Sequence, residues 1–286
     1  MILDLLFALK AAVLGVIEGI TEFLPVSSTG HLIIFSNLLK FYNNADKDYV
    51  DMFNMVIQLG AILAVVVLYR AKIIDTIQNL FPGKKTVLAK SGIYFWTMIL
   101  ISCIPAGIIG IKYNDFIKEK LFNPLVVACA LFIGGIWMIY AESKLRINDN
   151  RSLSDTPIKP WQALVVGLFQ VLSIIPGMSR SASTIIGGWV AGFSTVAAAE
   201  YSFFLAIPVM FGQSLLNILE MRAKLSIMEW ASLAIGFVVS FIVALIVIDS
   251  FLNYLKKKPM KIFAVYRMIF AFIVLALGAF GLFIPI

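Results

Sequence analysis

Two apolar stretches of this chain are each broken by a proline and a knot of polar residues, first within EGITEFLPVSSTGH (18–31) and again within PGMSRSAST (176–184). A bilayer offers no water to backbone groups that lose their helical partners. Irregular backbone at that depth survives only where protein encloses it or a wet cavity reaches it. A chain with two such breaks cannot be a plain bundle of crossing helices. Each broken stretch reads as a re-entrant helical hairpin that enters and leaves by one face. Ionisable side chains placed there are costly and mark function by default.

The rest of the chain supports a membrane setting. It is 61% hydrophobic and only 14% charged over 286 residues, far from the balance of a soluble domain. The first apolar stretch covers 2–23, breaks at Pro25 and resumes as a short piece over 30–40 after N-cap hydroxyls on Ser27, Ser28 and Thr29. A loop at 41–50 leads to spans near 51–70, 93–112 and 123–142, with a loop at 71–92 between the first two. The pattern then recurs: 161–175 stops at Pro176-Gly177, a short piece ends near Gly192, and spans follow near 200–219, 229–249 and 263–285. GVIEGITEFLPVSSTGH aligns with GLFQVLSIIPGMSRSAST, setting Gly15 opposite Gly167, Glu18 opposite Gln170 and Pro25 beside Pro176. The organisation is a first repeat (1–142), a cytoplasmic linker (143–160) and a second repeat (161–286). A re-entrant hairpin adds no net crossing, so each half crosses three times and the second half is inverted. The expected fold is an all-α polytopic membrane protein, an inverted-topology repeat with two re-entrant hairpins plus six transmembrane helices. Sites in such folds lie where the interrupted segments of the two halves meet.

The net charge of +7 invites a nucleic-acid partner, but in a membrane chain it is better read as lysine and arginine in cytoplasmic loops. With the first hairpin entering from outside, the inner loops (70–92, 143–160, 250–262) carry 13 basic residues and the outer ones 7. The first hairpin is thus expected on the outer face and the second on the cytoplasmic face. The N-terminus has no basic region or cleavage site of a signal peptide, so residue 1 onward reads as mature chain. Cys103 and Cys129 lie in apolar segments and read as buried free thiols.

The polar knots hold the chemistry. Glu18 and Glu22 are four apart and share a helix face, where two carboxylates repel unless a cation relieves them. Hard oxygen ligands point to Mg²⁺ or Ca²⁺, and Arg180 is the alternative counter-charge. Ser27 and Ser28 can act as caps. Ser28 also lies three residues before His31, the single histidine, and near Glu22, which supplies nucleophile, base and orienting carboxylate. Arg180, flanked by Ser179 and Ser181 after Pro-Gly, reads as a phosphate fork at a helix start, where free amides and the helix dipole favour an anion. Gln170 reads as a hydrogen-bonding residue of its hairpin. Asn54, Gln58, Glu200, Gln213 and Arg267 read as packing or interface residues.

At these residues the chain resembles the undecaprenyl-diphosphate phosphatases of bacterial membranes, the bacitracin-resistance type. One family motif, ExxxE running into PVSSTGH, stands at Glu18 to His31, and the other, PGxSRSxxT, at Pro176 to Thr184. The likeness extends to FNMVIQLGAILAVV (53–66), IPAGIIG (104–110), EYSFFLAIP (200–208) and the pair Tyr266-Arg267. The resemblance implies hydrolysis of undecaprenyl diphosphate to the monophosphate and inorganic phosphate, recycling the carrier lipid of cell-wall synthesis. It implies a bacterial plasma-membrane enzyme with an outward-facing site and a divalent-cation requirement. It implies Ser28 as nucleophile, Arg180 as phosphate binder, and Glu18, Glu22 and His31 as metal or acid–base groups. The remaining polar residues of the motifs, Ser27, Thr29, Ser179, Ser181 and Thr184, read as substrate-binding. A homodimer is left open. Two rivals stand beside this reading. A phosphatidic-acid-type phosphatase needs two histidines, and this chain has one. A flippase or transporter would share the inverted repeat but has no need of serine, histidine and arginine at one point.

Overall fold

The computed structural model describes residues 2–41, 47–82, 88–147, 151–155, 157–220 and 225–280. Lys84, Lys85, residues 281–285 of the last expected span, and parts of the 41–50 loop and the 143–160 linker lie outside them. Among the described residues every regular element is helical.

The first half comprises α1 (Ile2–Thr21), α2 (Ser28–Leu38), α3 (Lys47–Leu68), α4 (Arg70–Gln78), α5 (Gly92–Lys112), the single turn α6 (Asn114–Phe116) and α7 (Pro124–Leu145). The second comprises α8 (Pro160–Gln170), α9 (Arg180–Val190), α10 (Thr195–Glu220), α11 (Ile227–Leu255) and α12 (Lys261–Ala279). Six of these, α3, α5, α7, α10, α11 and α12, contain windows long and apolar enough to cross a bilayer, matching the six expected spans. Their starts carry local signals. Ser91 and Asn123 accept from backbone amides three residues on, and Pro124 sits at N1. Ser226 and Glu229 form a reciprocal cap on α11.

One element departs from expectation: α4 lies in the stretch read as loop. Its charged residues (Arg70, Lys72, Asp75) mask a helical segment whose Thr76 is buried and receives the Trp96 indole hydrogen at 3.1 Å. Both cysteines are free, but neither is fully buried: Cys103 is partly buried and Cys129 is exposed. An apolar helix face turned outward is as greasy as one turned inward when lipid is the surroundings.

The packing exchanges elements between halves. The first helix of each hairpin lies on the middle span of the other half, α1 on α11 and α8 on α5. Small residues permit both approaches. A Cβ added at Gly15 would fall 2.7 Å from the Gly236 carbonyl oxygen, and one at Gly167 would fall 2.6 Å from that of Ser102. Buried hydroxyls join neighbouring helices: Ser102 Oγ donates to the Ala163 carbonyl at 2.6 Å, and Ser240 Oγ to that of Ile57 at 2.7 Å. Gln170 bonds outside its own hairpin, its Nε2 donating to the Ser102 carbonyl on α5 at 3.3 Å. The outcome is that α2 and α9, the two short inner helices, start close to one another in the protein interior.

Candidate active site

The two helix starts share one backbone design. After α1, the amide of Glu22 still bonds the Glu18 carbonyl at 2.9 Å, which keeps both carboxylates on one face before Pro25 ends the run. The chain then turns through Ser27 at φ 72°, and the Ser27 hydroxyl caps α2 by accepting from the Gly30 amide at 3.4 Å. In the second half Gly177 turns at φ 100°, Ser179 sits at φ 69°, and its hydroxyl caps α9 by accepting from the Ala182 amide at 3.3 Å. A non-glycine residue at such φ costs on the order of 1–3 kcal/mol, and strain of this kind collects at functional sites. Both caps leave the next residue at the first helical position. That residue is Ser28 in one tip and Arg180 in the other.

Glu22 joins the tips. The Ser28 hydroxyl donates to its Oε2 at 2.7 Å, and Arg180 Nη2 donates to its Oε1 at 3.0 Å. The carboxylate is buried, so both are charge-assisted bonds in a low-dielectric setting. Hydroxyl and guanidinium, 152 positions apart in sequence, therefore address the two oxygens of one side chain. A second link, Ser181 Oγ donating to the Leu24 carbonyl at 2.8 Å, ties tip to tip. Arg180 Nη1 is held from the other side by the Ser202 carbonyl at 2.9 Å and the Ser202 hydroxyl at 3.3 Å, both on α10. Thr184 Oγ1 donates to the Arg180 carbonyl at 2.8 Å and accepts from the Ser202 hydroxyl at 2.7 Å, so it braces the helix start. Thr29, at the second position of α2, is partly exposed, as is Ser28.

Glu18 lies beneath this group, fully buried, and neither carboxylate oxygen has a hydrogen-bonding partner of good geometry. Its charged neighbours are Glu22 and Arg180. A carboxylate stripped of water and unbonded is costly, and a hard cation would satisfy it. Among the described residues no cluster of three or more His, Cys, Asp or Glu side chains forms a complete cage. Mg²⁺ commonly takes only one or two carboxylates and completes its shell with water and substrate phosphate oxygens. Glu18 and Glu22 fit that limited role.

Both ring nitrogens of His31 are engaged by groups other than the Ser28 hydroxyl. Its Nδ1 meets the Ser27 carbonyl at 2.7 Å and its Nε2 meets the Tyr266 hydroxyl at 2.7 Å. A carbonyl only accepts, so Nδ1 carries the proton, and in the neutral ring Nε2 accepts from Tyr266. The ring plane is fixed by Phe270, stacked with centroids 4.0 Å apart. The imidazole thus holds the strained Ser27 backbone, and Glu22 is the group within reach of the Ser28 proton.

Three participants escaped the sequence reading. Ser202, Tyr266 and Arg267 all lie in stretches that carry the family likeness with no site role attached, and the sequence marks Arg267 only as a packing or interface residue. Arg267 is fully buried, and its Nη2 donates to the Gly177 carbonyl at 2.5 Å and the Met178 carbonyl at 3.0 Å, just before the second tip. The usable signal was a charged residue in the middle of an apolar run.

Comparison with known proteins points the same way. The family model of the bacitracin resistance protein BacA matches residues 11–273. An undecaprenyl-diphosphatase of Ruminiclostridium cellulolyticum is 57% identical over 98% of this chain and 99% of its own. That of Clostridium novyi is 49% identical over 97% and 98%, and that of Thermoanaerobacter pseudethanolicus 48% identical over 91% and 93%.

Proposed function

This chain belongs to the bacitracin resistance protein BacA family, and on that premise we propose that it hydrolyses undecaprenyl diphosphate to undecaprenyl phosphate and inorganic phosphate within the membrane. The reaction returns a carrier lipid to cell-wall synthesis. The observation that carries this reading is the Glu22 carboxylate held between a serine hydroxyl and an arginine fork.

The chemistry follows from that arrangement. A diphosphate arriving at the two helix starts draws Arg180 from Glu22 onto its terminal phosphate, a better bidentate partner with more charge. Amides at the start of α2 and α9 add donors without reorganisation. Glu22, released from the guanidinium, takes the Ser28 proton as Oγ attacks the terminal phosphorus. The bond from phosphorus to the bridging oxygen breaks, and undecaprenyl phosphate leaves with its electron pair. Water then attacks the phosphorus of the phosphoserine, the bond from phosphorus to Ser28 Oγ breaks, Glu22 returns its proton to that oxygen, and orthophosphate leaves carrying the hydrogens of the water. Glu18 and Glu22 would hold the divalent cation, whose role when bound is to neutralise phosphate charge. Failure of folded, cation-supplied protein to release phosphate from a polyprenyl diphosphate in detergent would discard the reading, and transbilayer movement of the lipid by the same preparation would favour transport instead.

The site is proposed to open to the outer side of the plasma membrane, on the strength of the basic bias of the opposite loops. Single cysteines at 90 and 115, in a chain with Cys103 and Cys129 replaced, test this in intact cells. Position 115 should react with an impermeant reagent from outside and position 90 should not; the reverse pattern inverts the topology.

A further inference from the structure

Neighbouring residues on α12 touch both tips. Tyr266 reaches the first through His31: its hydroxyl donates to Nε2, and Nδ1 of the same ring donates to the carbonyl of the strained cap Ser27. Arg267 reaches the second directly, through the carbonyls of Gly177 and Met178, the two residues before the strained cap Ser179. Ser28 and Arg180 follow those caps. Two consecutive side chains of one helix therefore grip the backbone within three residues upstream of the two groups that meet on Glu22.

Several features speak against incidental packing. Arg267 is entirely enclosed, and its Nε and Nη1 have no partner, so its charge is buried without a full complement of bonds. Keeping a guanidinium in that state is costly, and an apolar residue would serve packing better. Room is made for it: a Cβ at Gly134 on α7 would fall 2.6 Å from Nη2. On the other side, Tyr266 and Phe270 lie nearly parallel to the imidazole, at 10° and 7°, so turning the ring away from the Ser27 carbonyl would break this stacking.

We propose that Tyr266 and Arg267 are positioning residues for phosphoryl transfer, fixing the nucleophile tip and the phosphate tip to one common turn of α12. The inference deepens the phosphatase reading and rests on it for its kinetic consequences. In-line attack tolerates little displacement, and a misplacement of about 1 Å costs on the order of a hundredfold in rate. A clamp spanning both tips supplies that precision where each tip alone has only a strained cap and a short helix. The two grips predict different losses. Freeing the first tip loosens the nucleophile and lowers kcat; freeing the second loosens the phosphate fork and raises KM.

The single histidine makes a decisive experiment available, because ¹⁵N-histidine labelling of the whole protein reports His31 alone. The wild type should show the neutral Nδ1–H tautomer. Tyr266→Phe, which keeps the ring and removes the hydroxyl, should shift the Nε2 resonance toward that of an unbonded acceptor. It should lower kcat at least about tenfold with KM within about threefold. Arg267→Lys should instead raise KM about tenfold, and Arg267→Met more, with thermal unfolding of the Lys variant near that of wild type. An Nε2–H tautomer in the wild type overturns the proposal without recourse to any variant. So does an unchanged imidazole spectrum in Tyr266→Phe, or an unchanged KM in Arg267→Lys. A wild-type protein that shows the expected tautomer yet releases no phosphate would sink the phosphatase reading while leaving the first grip standing.

Discussion

The two hairpin tips have nearly the same backbone and opposite chemistry. Each ends in a serine at φ close to 70° whose hydroxyl caps an 11-residue helix. At the first helical position one tip has Ser28 and the other Arg180; near the end of the helix that precedes each break, one has Glu18 and the other Gln170. The first tip collects carboxylates, a hydroxyl and an imidazole. The second contributes a cation and hydroxyls that brace it. Duplication of a fold unit yields two frames, and a phosphate site needs them filled differently. Two copies of the first tip would set carboxylates against a polyanion, and two copies of the second would offer no nucleophile. The asymmetry is carried by a few side chains, while the strain that aims them is common to both.

The comparison breaks most severely at Ser28. Ser28→Ala should lower kcat by about a thousandfold or more, measured as phosphate release by purified protein, since no neighbour replaces a lost nucleophile. Ser27→Ala should be much milder, because that hydroxyl only caps. Full turnover in Ser28→Ala would end the covalent route.

Next comes the opposite position. Arg180→Lys should be nearly as damaging as Arg180→Ala, each about a hundredfold or more, since a point charge cannot span Glu22, Ser202 and a phosphate as a planar fork does. A Lys variant within a few-fold of wild type would mean that the second tip supplies charge alone.

Glu18→Gln makes the first tip resemble the second. Activity should fall about tenfold to a hundredfold, and the dependence on added Mg²⁺ or Ca²⁺ after chelation should weaken in parallel. Rates that survive chelation in the wild type would remove the cation from the site.

The smallest effect tests the shared backbone. Ser27→Gly and Ser179→Gly lose a cap but relieve a strained φ, and each should change stability by less than about 1 kcal/mol. The alanine versions keep the strain and lose the cap, at about 1–2 kcal/mol each. A ranking that held at one tip only would show that the two turns are not equivalent.

Much of this was legible before any coordinates. Pro25 and Pro176-Gly177 had to break their helices, and polar residues beside them had to be enclosed, so two hairpins and six spans followed from local chemistry. The partners of Glu22 lay within the two motifs. Other features were not legible because they depend on which helix faces which. His31 looked like the companion of Ser28 at three residues' distance, yet its ring is claimed by Tyr266, 235 positions away. Arg267 and Ser202 act through backbone carbonyls and hydroxyls of distant segments, and neither leaves a trace in spacing. Cys129 could not be placed inside or outside, since lipid and core select the same residues there. The charged residues of α4 hid a helix because its burial depends on Trp96, not on its own composition.

The exchange of helices between halves has a consequence for how the chain is made. When α1 leaves the ribosome, the surface it will rest on, α11, is more than 200 residues from being synthesised. The carboxylates of the first hairpin must wait in the membrane, or at its edge, without their final enclosure. α8 finds α5 already in place and can settle at once. α12, which touches both tips, follows α11 in the chain. Glu22 therefore gains its guanidinium partner only after α9 has been made, and the contacts that tie both tips to one helix form only with α12.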